Sequence, residues 1–384
     1  MKTNHRSFYF SEKPSREVTE VYWESFFNSL ALSLVFIFEP IFLYTRGYSL
    51  SRILWFYVMV YVWYLLLVGV GAKFASRFGY KHSIFISNIF YVAYWIILFS
   101  IAAHPRMFFV APLFFALQKS WYWPAYNADI ALGSAHAQRG REIGVLQSLI
   151  QVAFIVGPFL GGFISEQYGF LALFITASVL MIFSAYPLFG SPEIYSRHEF
   201  AYKNLWEMFR KYRRNFFGYW GFAEDLMFMS LWPIFMYMVI GDYLDLGLVS
   251  TIAAVIGTMI MLYVGRLTDK IEKRRLISWG SIFYGATWLI RFAGRSVPAL
   301  LVFDALTKTG KDITSVPMTT LTYERAGDDG PDHAIAYVVF YEFSLSVGKI
   351  LTALAGIAIL AAGGSIFLVF ALTGFMTMLY GLLK

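Results

Sequence analysis

The sequence predicts an all-α integral membrane protein whose twelve transmembrane helices form two related six-helix bundles. Three observations carry this. Of 384 residues, 58% are apolar and 14% charged, with a mean hydropathy of +0.59. Soluble domains carry roughly 45–50% and about 25%, and a water-soluble fold of this size could not hide so much apolar surface. Next, twelve apolar runs approach or exceed the about 20 residues that cross a bilayer. Finally, the two halves of the chain match each other at one constant offset, as set out below.

The runs fall at 22–44, 52–71, 83–103, 107–128, 143–165 and 169–189, and then at 217–240, 246–265, 276–294, 297–322, 334–360 and 365–383. Several contain Gly or Pro, which neighbouring helices tolerate inside a membrane. The one long polar break, 190–216, divides the chain into an N-terminal bundle (1–189), a basic linker (190–216) and a C-terminal bundle (217–384). Within the linker, 199–215 has the pattern of an amphipathic helix. Phe200, Leu205, Trp206 and Phe209 would enter the lipid interface while its Lys and Arg meet anionic headgroups. A plain basic linker that helps set orientation is the alternative.

The net charge of +7 follows from orientation. With both termini in the cytoplasm, 22 of the 31 Lys and Arg fall on the cytoplasmic side, and only Arg46, Arg52, Arg106 and Arg295 on the other. That asymmetry is the positive-inside rule, and it accounts for the basic balance with no nucleic-acid partner. The expected location is a prokaryotic inner (plasma) membrane. The polar N-terminus carries no cleavable secretory signal. There are no cysteines, so disulfides and thiolate metal sites are excluded.

The repeat has an offset of 193 residues. Pro40-Ile41-Phe42-Leu43-Tyr44 matches Pro233-Ile234-Phe235-Met236-Tyr237, Pro124 matches Pro317, and 72–81 matches 265–274. Two such halves imply a cavity between them against which one half can rock. The last pair also carries a signature between the second and third spans of each half. Gly265, Asp269, Lys270, Lys273 and Arg274 stand in one copy, and Arg77, Gly79 and Lys81 in the other, with Ser76 in place of the Asp and Glu272 in place of the second Gly. In the fifth span Gly144, Ala153, Gly157, Pro158, Gly161 and Gly162 make a small-residue face around a bend. Together these features resemble the major facilitator superfamily across essentially the whole chain. The resemblance implies alternating access, a cavity lined by spans 1, 4, 7 and 10, and a cytoplasmic gate built by Gly265, Asp269, Lys270, Arg274, Arg77, Gly79 and Lys81. In the family the Asp caps a neighbouring helix; Ser76 can still cap but brings no charge. The fifth-span pattern is richest among antiporters, which favours export over uptake, although close packing alone would also explain it.

Ionisable groups inside a span usually face protein or a water-filled cavity. In span 10, Asp304, Lys308, Lys311 and Ser315 share one face, with Asp312 beside it. Span 4 carries Gln118, Lys119, Trp121, Trp123 and Tyr126. Lys119, Lys308 and Lys311 are candidates to hold a carboxylate or phosphate, with Asp304, Asp312, Trp123, Tyr126, Gln147 and Gln151 around them. The alternative is neutralisation within the helix, Asp304 with Lys308 and Lys308 with Asp312, both at i,i+4. Span 7 carries Glu224 and Asp225. A carboxyl in such a place can take and release a proton near neutral pH, as a proton carrier must, and Glu39 and Glu342 are its rivals. An ion pair with a lysine of span 10 or 11 is the structural alternative for Asp225. Glu342, Ser346 and Lys349 share a face of span 11. Glu24 reads as interfacial, and Arg291, near the end of span 9, as a snorkelling side chain.

No P-loop, HExxH or nucleophile motif is present, so no enzyme, cofactor or metal is expected. The reading is a secondary transporter, coupled to protons, of a small anionic or amphipathic organic solute, working as a monomer among membrane lipids. Its partners are that small-molecule substrate and protons or another coupling ion. A lipid flippase or scramblase on the same fold, or a non-transporting receptor or scaffold, are the alternatives.

Overall fold

The computed structural model describes residues 16–133, 139–190, 202–268, 271–327 and 331–383, and no strand occurs among them. In chain order the helices are α1 (Arg16–Val35), α2 (Phe38–Thr45), α3 (Leu50–Phe78), α4 (Tyr80–Ser100), α5 (Met107–Gly133), α6 (Arg139–Ser184), α7 (Tyr202–Lys211), α8 (Arg213–Gly218), α9 (Glu224–Met229), α10 (Leu231–Ile240), α11 (Tyr243–Thr268), α12 (Lys273–Leu289), α13 (Val297–Gly327), α14 (Pro331–Ala361) and α15 (Ile366–Thr377). They group into twelve crossings. The first joins α1 and α2, and the seventh runs from α8 through a 3-10 turn (Tyr219–Ala223) to α10. The fifth and sixth are the two arms of α6, whose 46 residues are parted at Gly169 (φ 79°, ψ 172°). A side chain there would be strained, and the turn reverses the chain.

Seven stretches are apolar and long enough to cross a membrane by themselves. The crossings that fall short, α5, α12, α13 and α15, are too short or too polar, and α13 holds four charges between Asp304 and Asp312. Their membrane level is fixed by the neighbours they pack on. Several helices also outrun the apolar runs. α13 continues to Gly327 and α5 to Gly133, because hydropathy marks only the lipid-embedded part of a helix.

The repeat reappears as geometry. The first crossing breaks at Phe36 and Ile37 and the seventh at Ser230, and Ile37 and Ser230 are 193 residues apart. The turns at Gly47 (φ 84°) and Gly241 (φ 83°) correspond, as do those at Gly169 and Gly363 (φ 80°), each pair 194 apart. These turns lie at one end of the molecule. The Lys- and Arg-rich turns lie at the other, which we call the basic end.

Within the first half, α1 packs along α6, and α5 lies against α3 and α4; in the second, α13 packs against α11 and α12, and α15 against α12 and α14. The halves meet where α6 lies along α11, α14 along α3, and α2 against α10. A large core cluster spans both halves (Phe38, Tyr57, Tyr94, Trp232 and Phe370 among its members), and a smaller one surrounds Tyr337 near the basic end. The helix expected in the linker is α7. Its Leu205 and Phe209 pack onto the smaller cluster and Trp206 stays exposed, while Phe200 lies outside the described residues.

Candidate functional site

A cavity of about 320 Å³ opens between the halves, bounded by the α1–α2 break, α6, α9, α10, α11 and α13. Its wall is mainly apolar and aromatic, with Phe36, Phe154, Phe228, Trp232 and Met236, and its polar side is Asp225, Asp304, Lys308, Lys311, Asp312 and Gln151. The broken seventh crossing presents Asp225 near the start of α9. The i, i+4, i+7 spacing of α13 puts Asp304, Lys308 and Lys311 on the face turned to it.

The charges are paired in a definite way. Asp225 accepts from two lysines, Lys311 Nζ on Oδ1 at 2.5 Å and Lys349 Nζ on Oδ2 at 2.7 Å, which ties α9 to both α13 and α14. Asp304 Oδ2 lies 2.7 Å from Lys308 Nζ, and its Oδ1 accepts from Trp232 Nε1 at 2.8 Å. Lys308 also donates to the Ser250 carbonyl at 2.7 Å. Helical neutralisation thus holds for Asp304 with Lys308, and not for Lys308 with Asp312. Asp312 is half-buried, lines the cavity and makes no hydrogen bond or ion pair with a described residue.

Lys119 does not join this group. Its Nζ stands over the rings of Phe115 (4.9 Å) and Tyr61 (5.5 Å) in the first half. Tyr61 links the two regions, since its hydroxyl accepts from Lys349 Nζ at 3.0 Å. Glu39, buried in the first half, accepts from the Tyr57 hydroxyl at 3.0 Å. Trp123 and Tyr126 do not line the cavity either; Tyr126 stacks on Tyr122 at 5.1 Å and Trp123 meets both edge-on. Trp121 packs on Phe74 and Phe90, away from Lys119's aromatic neighbours. Gln147 is exposed, whereas Gln151 donates to Thr258 Oγ1 at 2.7 Å across the α6–α11 junction.

A second polar network joins the halves. Glu342 of α14 accepts from the Tyr64 hydroxyl (3.0 Å) and from Asn127 Nδ2 (3.2 Å), and Tyr323 of α13 donates to Asn127 Oδ1 at 2.8 Å. Each of these bonds crosses from one half to the other. Asn127 and Tyr323 were not singled out in the sequence; their occurrence near the ends of the two equivalent Pro-containing crossings was the available signal. Ser346, between Glu342 and Lys349, donates back to the Glu342 carbonyl in its own helix.

Glu224 belongs to the interior of the second half, where it accepts from Tyr284 at 2.6 Å. Arg291 lies there too and does not snorkel. It is fully buried, with its guanidinium 3.4 Å from the Trp288 ring centroid and 3.9 Å from that of Trp232, and it donates to Thr307 at 2.7 Å. Two aromatic plates hold it where a route to water would have to cross the packed core. Glu24 is likewise buried rather than interfacial, accepting from Asn28 Nδ2 at 3.1 Å.

At the basic end, Gly79 adopts φ 101° between α3 and α4, Lys81 pairs with Glu20 at 3.1 Å, and Arg77 and Arg274 are exposed. Ser76 caps no neighbouring helix, because its hydroxyl donates to the Ala72 carbonyl one turn back at 2.8 Å. Gly144, Gly265, Asp269 and Lys270 lie outside the residues whose side chains are described. Along α6, a Cβ on Gly157 would fall 1.9 Å from Ser33 Oγ, and one on Gly161 2.1 Å from the Leu34 carbonyl oxygen. Pro158 and Gly162 face α11 instead, where a Cβ on Gly162 would lie 2.5 Å from the Tyr243 carbonyl oxygen.

Comparison with known proteins gives a consistent picture. A family model described as Major Facilitator Superfamily matches residues 24–240. Multidrug resistance protein 2 of Bacillus subtilis (strain 168) is 22% identical over 54% of this chain and 55% of its own length. Multidrug resistance protein 1 of the same organism is 26% identical over 31% of this chain and 30% of its own. The chain thus spans about half or less of the curated relatives named here. Among solved structures, a D-xylose–proton symporter superposes with a TM-score of 0.70 at 11% identity, covering 96% of both chains. A POT family peptide transporter gives 0.71 at 12% identity, covering 95% of both.

Proposed function

The chain belongs to the major facilitator superfamily, and from that premise we propose that this membrane transporter exports small amphipathic organic solutes in exchange for protons. The observation that carries the reading is the charge balance of the cavity. Its wall is apolar and aromatic, Lys308 and Lys311 are held by Asp304 and Asp225, and Asp312 is the charge with no described partner. A free organic anion would have to displace a carboxylate already in place. A hydrophobic cation or weakly basic solute finds aromatic faces and an open carboxylate. The names of the two bacterial relatives agree with a compound exporter.

Coupling in this reading centres on Asp225. A proton on its carboxylate weakens its hold on both Lys311 and Lys349, and therefore loosens α9 from α13 and α14 together. Glu342 and Glu39 are the alternative carriers. Both termini lie in the cytoplasm, the protein acts as a monomer, and the basic end faces the cytoplasm.

The test uses proteoliposomes with an imposed pH gradient and a fluorescent hydrophobic cation. Asp312→Asn is expected to raise the apparent KM for the cation about tenfold, the effect of roughly 1.4 kcal/mol, and to leave a neutral solute unaffected. Asp225→Asn is expected to abolish gradient-driven transport. Full gradient-driven transport by Asp225→Asn removes it from the coupling step. Inhibition by organic anions in place of cations removes the substrate reading.

A further inference from the structure

The end opposite the basic loops carries four arginines in the sequence, and three of them, Arg46, Arg52 and Arg106, line one pocket of about 440 Å³. We infer that this pocket binds a phosphate-bearing anion, supplied by the headgroup of an acidic phospholipid or by a free phosphate.

The three residues come from two turns. Arg46 closes α2, Arg52 lies in the first turn of α3, and Arg106 immediately precedes α5. The last two occupy the positive ends of long helices, where a cation is disfavoured and an anion is favoured. No acidic residue lines the pocket, and none of the three makes an ion pair with a described residue. Two like charges at positive helix ends with a third beside them, in the sparsely charged part of the chain, are an arrangement that an added anion would stabilise. Guanidinium groups are suited to it, because their donors match phosphate oxygens in pairs.

The pocket is also shaped for a lipid. Tyr48 and Phe108 stack at 4.8 Å with planes 7° apart and form one wall, with Arg52 over the Tyr48 ring at 5.6 Å. Phe109 is 65% exposed, and Trp55, one turn beyond Arg52, is 46% exposed. Both are at a level where acyl chains would lie below a headgroup. An acidic lipid would place its phosphate among the arginines and its chains on these two rings, tying the turn after α2 to the turn before α5.

The test is made on the full chain in nanodiscs and in detergent. In nanodiscs of mixed phosphatidylglycerol and phosphatidylcholine, lipid retained on the protein is read by native mass spectrometry. The wild type is expected to keep phosphatidylglycerol selectively, and the Arg46→Gln, Arg52→Gln, Arg106→Gln triple variant to lose affinity for it on the order of a hundredfold. Arg295→Gln, at the same end but outside the pocket, is expected to change nothing. Should the triple variant fail to fold, Arg106→Gln alone is expected to weaken binding roughly fivefold. A parallel arm titrates inorganic phosphate against the melting temperature in detergent. Selective lipid retention assigns the site to lipid, and a melting rise with phosphate that the triple variant lacks assigns it to the free anion. Equal retention by wild type and variants, an equal loss in Arg295→Gln, or no response to either probe overturns the inference.

Discussion

At the residue scale, Asp225 is a carboxylate shared by two lysines from different helices. Its side chain and those of Lys311 and Lys349 are 19%, 21% and 6% exposed. Removing one partner of a buried pair leaves charges that protein dipoles cannot replace, at about 3–5 kcal/mol. Asp225→Asn strands two cations at once, so it is expected to lower the melting temperature in detergent. The double variant Asp225→Asn, Lys349→Met removes one of the stranded charges and fills its place with a similar apolar volume. It is expected to melt above the single variant, and a double variant that melts lower would mean that Lys349 stabilises the fold independently of Asp225. The pairing also shows where sequence reading stops. Spacing on α13 exposes the Asp304–Lys308 pair, because both residues ride one helix. For Asp225 an ion pair with a lysine of span 10 or 11 stood only as an alternative, and spacing could not choose Lys311 and Lys349 together, since the three come from three crossings and meet only through packing. Arg291 failed for the same reason. Its place near the end of an apolar run suggested snorkelling, and the two tryptophans that enclose it come from different helices.

At the element scale, the apolar runs and the 193-residue offset made the twelve crossings legible. Both depend on local pattern, and the prolines at 40 and 233 sit just beyond equivalent breaks. What the pattern did not separate was the two faces of the fifth crossing. Its small residues read as one smooth surface, yet Gly161 meets α1 of its own half and Gly162 meets α11 of the other. This division makes a prediction. Gly161→Ala forces α6 and α1 apart inside one half, against a backbone carbonyl that cannot swing away, and is expected to cost about 1–3 kcal/mol of stability. Gly162→Ala wedges the junction between halves. It is expected to cost less stability and to change how fast the halves interconvert, read as a lower transport rate at nearly wild-type melting temperature. Equal losses of stability with equal rates would mean that the two faces are mechanically equivalent.

At the scale of the whole molecule, polar contacts join the halves at several levels, with Lys349 on Tyr61 and Gln151 on Thr258 lying between two sets nearer the ends. Glu342, Asn127, Tyr64 and Tyr323 form one of these sets. In the other, nearer the end opposite the basic loops, Glu166 Oε2 accepts from the Tyr243 backbone amide at 3.3 Å. If one half rocks against the other, these two sets cannot stay closed throughout a cycle, because opening either end separates the residues that bridge it. The chain has no cysteine, so introduced pairs report without background. Asn127→Cys with Tyr323→Cys, joined by a short bifunctional thiol reagent, is expected to stop transport, and Glu166→Cys with Tyr243→Cys is expected to do the same. Each single cysteine treated with the same reagent controls for modification alone and is expected to retain most activity. Substrate binding distinguishes the two locks. A protein locked at one end should still bind solute added from the other side of the vesicle, and the opposite lock should reverse that preference. Full turnover with both pairs cross-linked would mean that the halves do not part at these contacts, and the bridge through Glu342 would then be a fixed hinge between them rather than a gate.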